Sequence, residues 1–86
     1  MADREKLRQR VADLRAEIAK LEDGERRKQL EAIADRIDLL LGEPVEVDVE
    51  ALLEDLEAQL LQFEASHPRI AFLLNDLMEI LANLGI

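Results

Sequence analysis

Any chemistry in this chain would have to start from Glu64, Ser66 and His67. Glu64 and His67 have the Glu-x-x-His spacing by which di-iron bundles project two ligands from one helical face. Such a centre takes two copies of that motif and two further inward carboxylates, whereas this chain has a single histidine. His67 also precedes Pro68, and a residue before proline is pushed out of the α region, so the shared helical face is not expected. Neither a metal site nor a cofactor is predicted. The local alternative is that Ser66 or His67 accepts backbone N–H groups at the start of the next helix. Covalent catalysis has equally little to use. Ser66 and His67 are the only serine and histidine, cysteine and tyrosine are absent, and no glycine-rich phosphate loop appears. Carboxylates alone could do acid–base work if burial shifted them, but they fall on faces expected to be wet. The chain reads as non-catalytic.

The remaining functional signal is charge. Residues 1–42 hold ten Lys/Arg and ten Asp/Glu; residues 43–86 hold one base, Arg69, against ten acids, so the whole net charge of −9 lies in the second half. Such a surface repels phosphate backbones and suits basic partners or plain solubility. With two Phe and no Trp or Tyr, aromatic platforms for nucleobases are missing, so direct nucleic-acid binding is not expected. The acids that could meet a protein partner are Glu50, Glu54, Glu57 and Glu64, with Leu61 among them and Phe72 on the polar face of the last helix. Phe72 is expected to fold over the turn before it. Otherwise Phe72, Leu61 and Leu39 mark a contact surface.

These side chains must be carried by helices, because the apolar residues recur at helical spacing. Leu7, Val11, Leu14, Ile18 and Leu21 alternate intervals of four and three, a narrow seam on a helix over about 3–22. Arg4, Arg8 and Arg15 share one flank of it. Leu30, Ile33, Ala34, Ile37, Leu40 and Leu41 give a second stripe over 25–41. In one straight helix that stripe would sit about 120° round from the first, so Asp23-Gly24 is expected to be a turn between two helices. Gly42 suits a left-handed C′ position, with Pro44 just beyond.

Asp48 is an N-cap for a third helix over 49–65, with Val47 and Leu52 at the spacing of a hydrophobic staple. Its apolar arc is Val49, Leu52, Leu53, Leu56, Leu60 and Phe63. His67 ends that segment, and Pro68 suits the first position of a fourth helix over 68–84. Twelve of the nineteen residues from Pro68 to Ile86 are apolar, so this helix is the one the others must cover. Gly85 can close it in Schellman fashion. The prediction is an all-α fold, a single helical domain of four antiparallel helices in an up-and-down bundle, formed within one chain or completed by dimerisation. Residues 1–42 are its zwitterionic hairpin and residues 48–86 its acidic one. Met1 to Arg10 is charged, so no signal peptide is expected, and a cytoplasmic protein without membrane contact is the default.

From Phe63 the text F-E-A-S-H-P, then a greasy helix and the ending L-A-N-L-G-I, resembles a family of small bacterial proteins designated only as a domain of unknown function, number forty-four-oh-four. The likeness is specific over Phe63 to Ile86 and compatible in helical pattern over the rest. It implies a bacterial source and a helical fold, and no catalytic residue. The function expected is that of a protein-interaction or structural module whose partner is unknown. A sharper version is an acidic regulator that masks a basic nucleic-acid-binding protein; a carboxylate-based enzyme or metal site is the reading from another class.

Overall fold

A computed structural model describes residues 2–42 and 48–83, and among these every regular element is a helix. They are α1 (Ala2–Ile18), α2 (Gly24–Gly42), α3 (Val49–Phe63) and α4 (Pro68–Asn83). Each helix touches two others: α1 packs on α2 and α4, and α3 packs on α4 and α2. The four close into a ring in which α1 and α3 stand diagonally. A continuous helix over residues 2–42 would be about 60 Å long at 1.5 Å per residue. The longest axis of the molecule is 33 Å, which the break between α1 and α2 makes possible.

One cluster of buried side chains draws on all four helices. The seam of α1 (Leu7, Val11, Leu14, Ile18, with Leu21 just beyond) is buried throughout, as is the α2 stripe apart from half-covered Leu40. In α4 the centre of the wide apolar face is covered: Leu74, Leu77 and Leu81 are each 0% exposed within a single chain, with Met78 half-covered at its edge. No second copy is needed to keep that helix dry.

The helix ends differ from the sequence reading in instructive ways. α1 stops at Ile18 rather than near residue 22. Lys20 N–H bonds Glu17 O at 3.1 Å and Leu21 N–H bonds Ile18 O at 3.0 Å, so the last turn tightens to i→i+3 bonds. That tightening keeps Leu21 in the core while freeing Asp23 to begin α2. Asp23 is then a helix cap rather than merely part of an interruption. Its Oδ1 accepts from Glu25 N at 3.1 Å and from Arg26 N at 3.4 Å, and its carbonyl accepts from Arg27 N.

Gly42 does not take a left-handed C′ position; it is the last residue of α2, and its φ is not positive. Asp48 caps α3 as expected, its Oδ1 accepting from Ala51 N at 3.0 Å, and Leu52 is fully buried. α3 ends at Phe63, two residues early, because the chain must turn through residues 64–66 to bring Pro68 to the first position of α4. Val47 and its staple, and the Gly85 closure, lie outside the described residues.

Asp23→Ala and Asp48→Ala are each expected to cost about 1 kcal/mol in urea unfolding, with Asn at either position restoring most of it. No loss at Asp23 would mean that α2 does not depend on that cap.

Candidate interaction surface

The buried interior contains no carboxylate among the described residues; the one buried polar side chain is Gln59. Acidic groups therefore act, if they act, from the surface. Glu50, Glu54 and Glu57 are exposed along the outer side of α3, which carries no Lys or Arg. Glu64 is the exposed C-cap residue of the same helix. Among the described residues none of these four glutamates is in an ion pair.

Three arginines are engaged between helices elsewhere. Arg10 of α1 bonds Asp76 of α4, which is the first cause of a guanidinium pKa raised above its ordinary value. Arg15 of α1 donates to Asp35 at 2.9 Å and to Asp38, both on α2, and these bonds raise its pKa likewise. Arg36 of α2 bonds Asp55 of α3. The Arg4, Arg8 and Arg15 flank is thus not a uniform strip offered to another molecule. Its third member ties α1 to α2, while Arg4 and Arg8 stay exposed. The Arg15 pairs lie at the surface, where ion pairs contribute at most about 1 kcal/mol. Arg15→Ala should therefore lower stability by less than about 1 kcal/mol, and the difference should shrink in concentrated salt. A loss above about 2 kcal/mol would give Arg15 a packing role as well.

Glu64 and His67 do not share a helical face, since α3 ends at Phe63 and Glu64 only caps it. His67 caps α4 through its backbone, its carbonyl accepting from Ala71 N at 3.0 Å. Its ring is used otherwise, so the predicted side-chain cap is replaced by a packing contact. Nδ1 lies 2.9 Å from Ser66 Oγ, and the ring stands edge-on to Phe63 with centroids 5.3 Å apart. Arg26 covers the same Phe63 ring at 5.4 Å, closing this end of the bundle. His67, Arg26, Asp23 and Lys20 line an open cleft there of about 350 Å³.

The three large apolar side chains exposed among the described residues do not form one patch. Phe72 is 56% exposed, so it does not tuck over the α3–α4 turn. It lies one turn from Asp76, whose bond to Arg10 places that side of α4 against α1. Leu39 and Leu61 instead follow Arg36 on α2 and Ala58 on α3 by one helical turn, and Arg36 and Ala58 line the junction of α2 with α3. That junction is the thinnest of the four helix contacts. It holds a cleft of about 270 Å³ with Ala32, Ala58 and Gln59 in its walls. Gln59 is 8% exposed; its Nε2 donates to Gln29 Oε1 at 3.1 Å, and its own Oε1 is buried without a partner.

Sequence reasoning missed Gln59. It stands three residues after Leu56 and four before Phe63, so helical phase alone puts it on the buried arc; only its polarity argued otherwise.

Among the described residues no helix is long and apolar enough to cross a membrane. A family model described as a domain of unknown function (DUF4404) matches residues 7–86. No curated protein and no solved structure matches the chain.

Proposed function

We propose that this chain, which belongs to the DUF4404 family, is a non-catalytic docking module: an antiparallel up-and-down bundle that presents an acidic helix to a basic protein. The observation that carries this reading is the state of α3. Its outer glutamates are exposed and unmatched among the described residues, while Arg10, Arg15 and Arg36 are each paired with an aspartate of the same chain. Clustered, uncompensated acids favour encounter with a positive surface and repel polyanions. The apolar filling of the interior supports a module over an enzyme, because acid–base catalysis at neutral pH calls for carboxylates shifted by burial. Every Asp and Glu from Glu5 to Glu31, from Asp35 to Asp38 and from Asp48 to Glu79 reaches solvent.

In its sharper form the partner is a basic nucleic-acid-binding protein, whose own phosphate-binding surface the acids of α3 would cover. The test is affinity capture from the native host at low ionic strength, followed by stepwise elution with salt. A basic protein released as salt rises from about 0.1 to about 0.5 M is expected, since screening weakens exposed charge pairs first. Retention of an acidic partner, or one indifferent to salt, would point to an apolar contact and overturn the charge-based reading.

A further inference from the structure

Helical phase gives the α2–α3 pair a distinctive outward face. On α2, Lys28, Ala32, Arg36 and Leu39 follow one another at four, four and three. On α3, Ala51, Glu54, Ala58 and Leu61 do the same at three, four and three. Arg36 meets Asp55 and Gln29 meets Gln59, which places Leu39 beside the start of α3 and Leu61 beside the start of α2. The two exposed leucines therefore mark opposite ends of this face, about 16 Å or three helical turns apart. Between them the surface is small and open: Ala32 and Ala58 leave room for another helix backbone to approach. Beneath these alanines lies Gln59. Whichever way its amide is set, one end faces Gln29 and the other has no partner, so the amide keeps unused hydrogen-bonding capacity.

The geometry points to this face as a docking groove for a basic amphipathic helix of a partner protein, an inference that deepens the docking reading above and rests on it. Apolar side chains three turns apart on the incoming helix would cover Leu39 and Leu61, in the helix-in-groove manner. Its lysines or arginines would meet Glu54 on the rim and Glu50 and Glu57 beyond it. One of them, passing between Ala32 and Ala58, would donate to Gln59 Oε1 as the thin α2–α3 contact parts. A second copy of this chain fits less well. A two-fold contact sets this face against itself: α3 brings acids without bases, and against them α2 offers only Lys28, one turn before Ala32, since Arg36 is already held by Asp55.

The test uses the full chain, isotopically labelled, and a helical peptide of Lys, Ala and Leu with its leucines on one stripe. The control peptide carries Glu in place of every Lys. The basic peptide should shift the backbone amides of residues 28–39 and 51–62. Its affinity should fall at least tenfold for the double variant Leu39→Ser, Leu61→Ser, whose changes are on the surface, and at least tenfold for Glu54→Lys. The acidic peptide should leave the spectrum unchanged. Basic-peptide shifts centred on Phe72 and the α1–α4 face would overturn the groove while leaving the docking module standing. Equal binding of the acidic peptide would remove both. Concentration-dependent shifts on the α2–α3 face without peptide would give the groove to a second copy, and no binding of the basic peptide would leave it without its occupant.

Discussion

Leu77→Ala is expected to remove about 3–5 kcal/mol of stability, the range for deleting a leucine side chain from a packed core. Leu77 is 0% exposed and belongs to the cluster shared by all four helices, so the cavity would open where neighbours from several directions meet. Chains of this size are stable by about 0.05–0.15 kcal/mol per residue, or roughly 4–13 kcal/mol for 86 residues. One methyl-for-isobutyl change would thus take a large share of the total. Urea unfolding followed by circular dichroism measures it, with Leu61→Ala as the surface control expected to stay within about 0.5 kcal/mol. A loss below about 1 kcal/mol at Leu77 would mean that α4 is not the packed centre of the bundle.

That expectation was available before the structure because α4 has a single strong stripe and few ways to hide it. The same logic located the seam of α1, the cap at Asp48 and Pro68 at the head of α4. In each case one local interaction decides the outcome: a helical period, a side-chain acceptor, a missing N–H. Gly42 differs because the left-handed glycine cap is a preference rather than a requirement: a glycine costs a helix only about 1 kcal/mol, so it can remain the last residue of α2. Asp23 was read as part of a break, although an aspartate one residue before a helix is an ordinary cap signal. The pairing of Arg15 is not legible on α1, because its partners, Asp35 and Asp38, are distant in sequence. Their meeting depends on how α1 and α2 lie together, which no single-helix pattern contains.

The candidate surface was legible only in its charge. Glu50, Glu54, Glu57 and Glu64 were visible as a flank of α3, and they are exposed. The separation of Phe72 from Leu61 and Leu39 depends on which neighbour each side of α4 and α3 faces. That is a property of the ring closed by α1 against α4. The ring also makes α1 and α3 diagonal, so the basic remainder of α1, Arg4 and Arg8, cannot neutralise α3 within the same chain. The acidity of α3 therefore persists through folding, as a consequence of topology rather than of composition alone.

Gln59→Leu should act in the direction opposite to most core substitutions and raise stability by about 1–2 kcal/mol. A buried acceptor without a partner carries a desolvation cost of about 1–3 kcal/mol, and an apolar side chain of similar length removes it. The hydrogen bond that is lost contributes a net of only about 0.5–1.5 kcal/mol, and exposed Gln29 can turn its amide to water. Leucine at position 59 would also extend the apolar arc from Leu56 to Phe63 without interruption. A rise in the urea midpoint at unchanged slope is the expected reading, because the surface exposed on unfolding hardly changes. If instead Gln59→Leu lowers stability, the amide is satisfied in solution, by ordered water or by a different rotamer, and the unmet acceptor is not a feature of the folded protein. The groove makes a second demand on the same variant. Gln59→Leu should bind the basic peptide more weakly than the parent chain although it is more stable. A residue that costs folding energy and supports binding behaves as a docking element; a gain in stability with affinity intact would make Gln59 only a flaw in the packing.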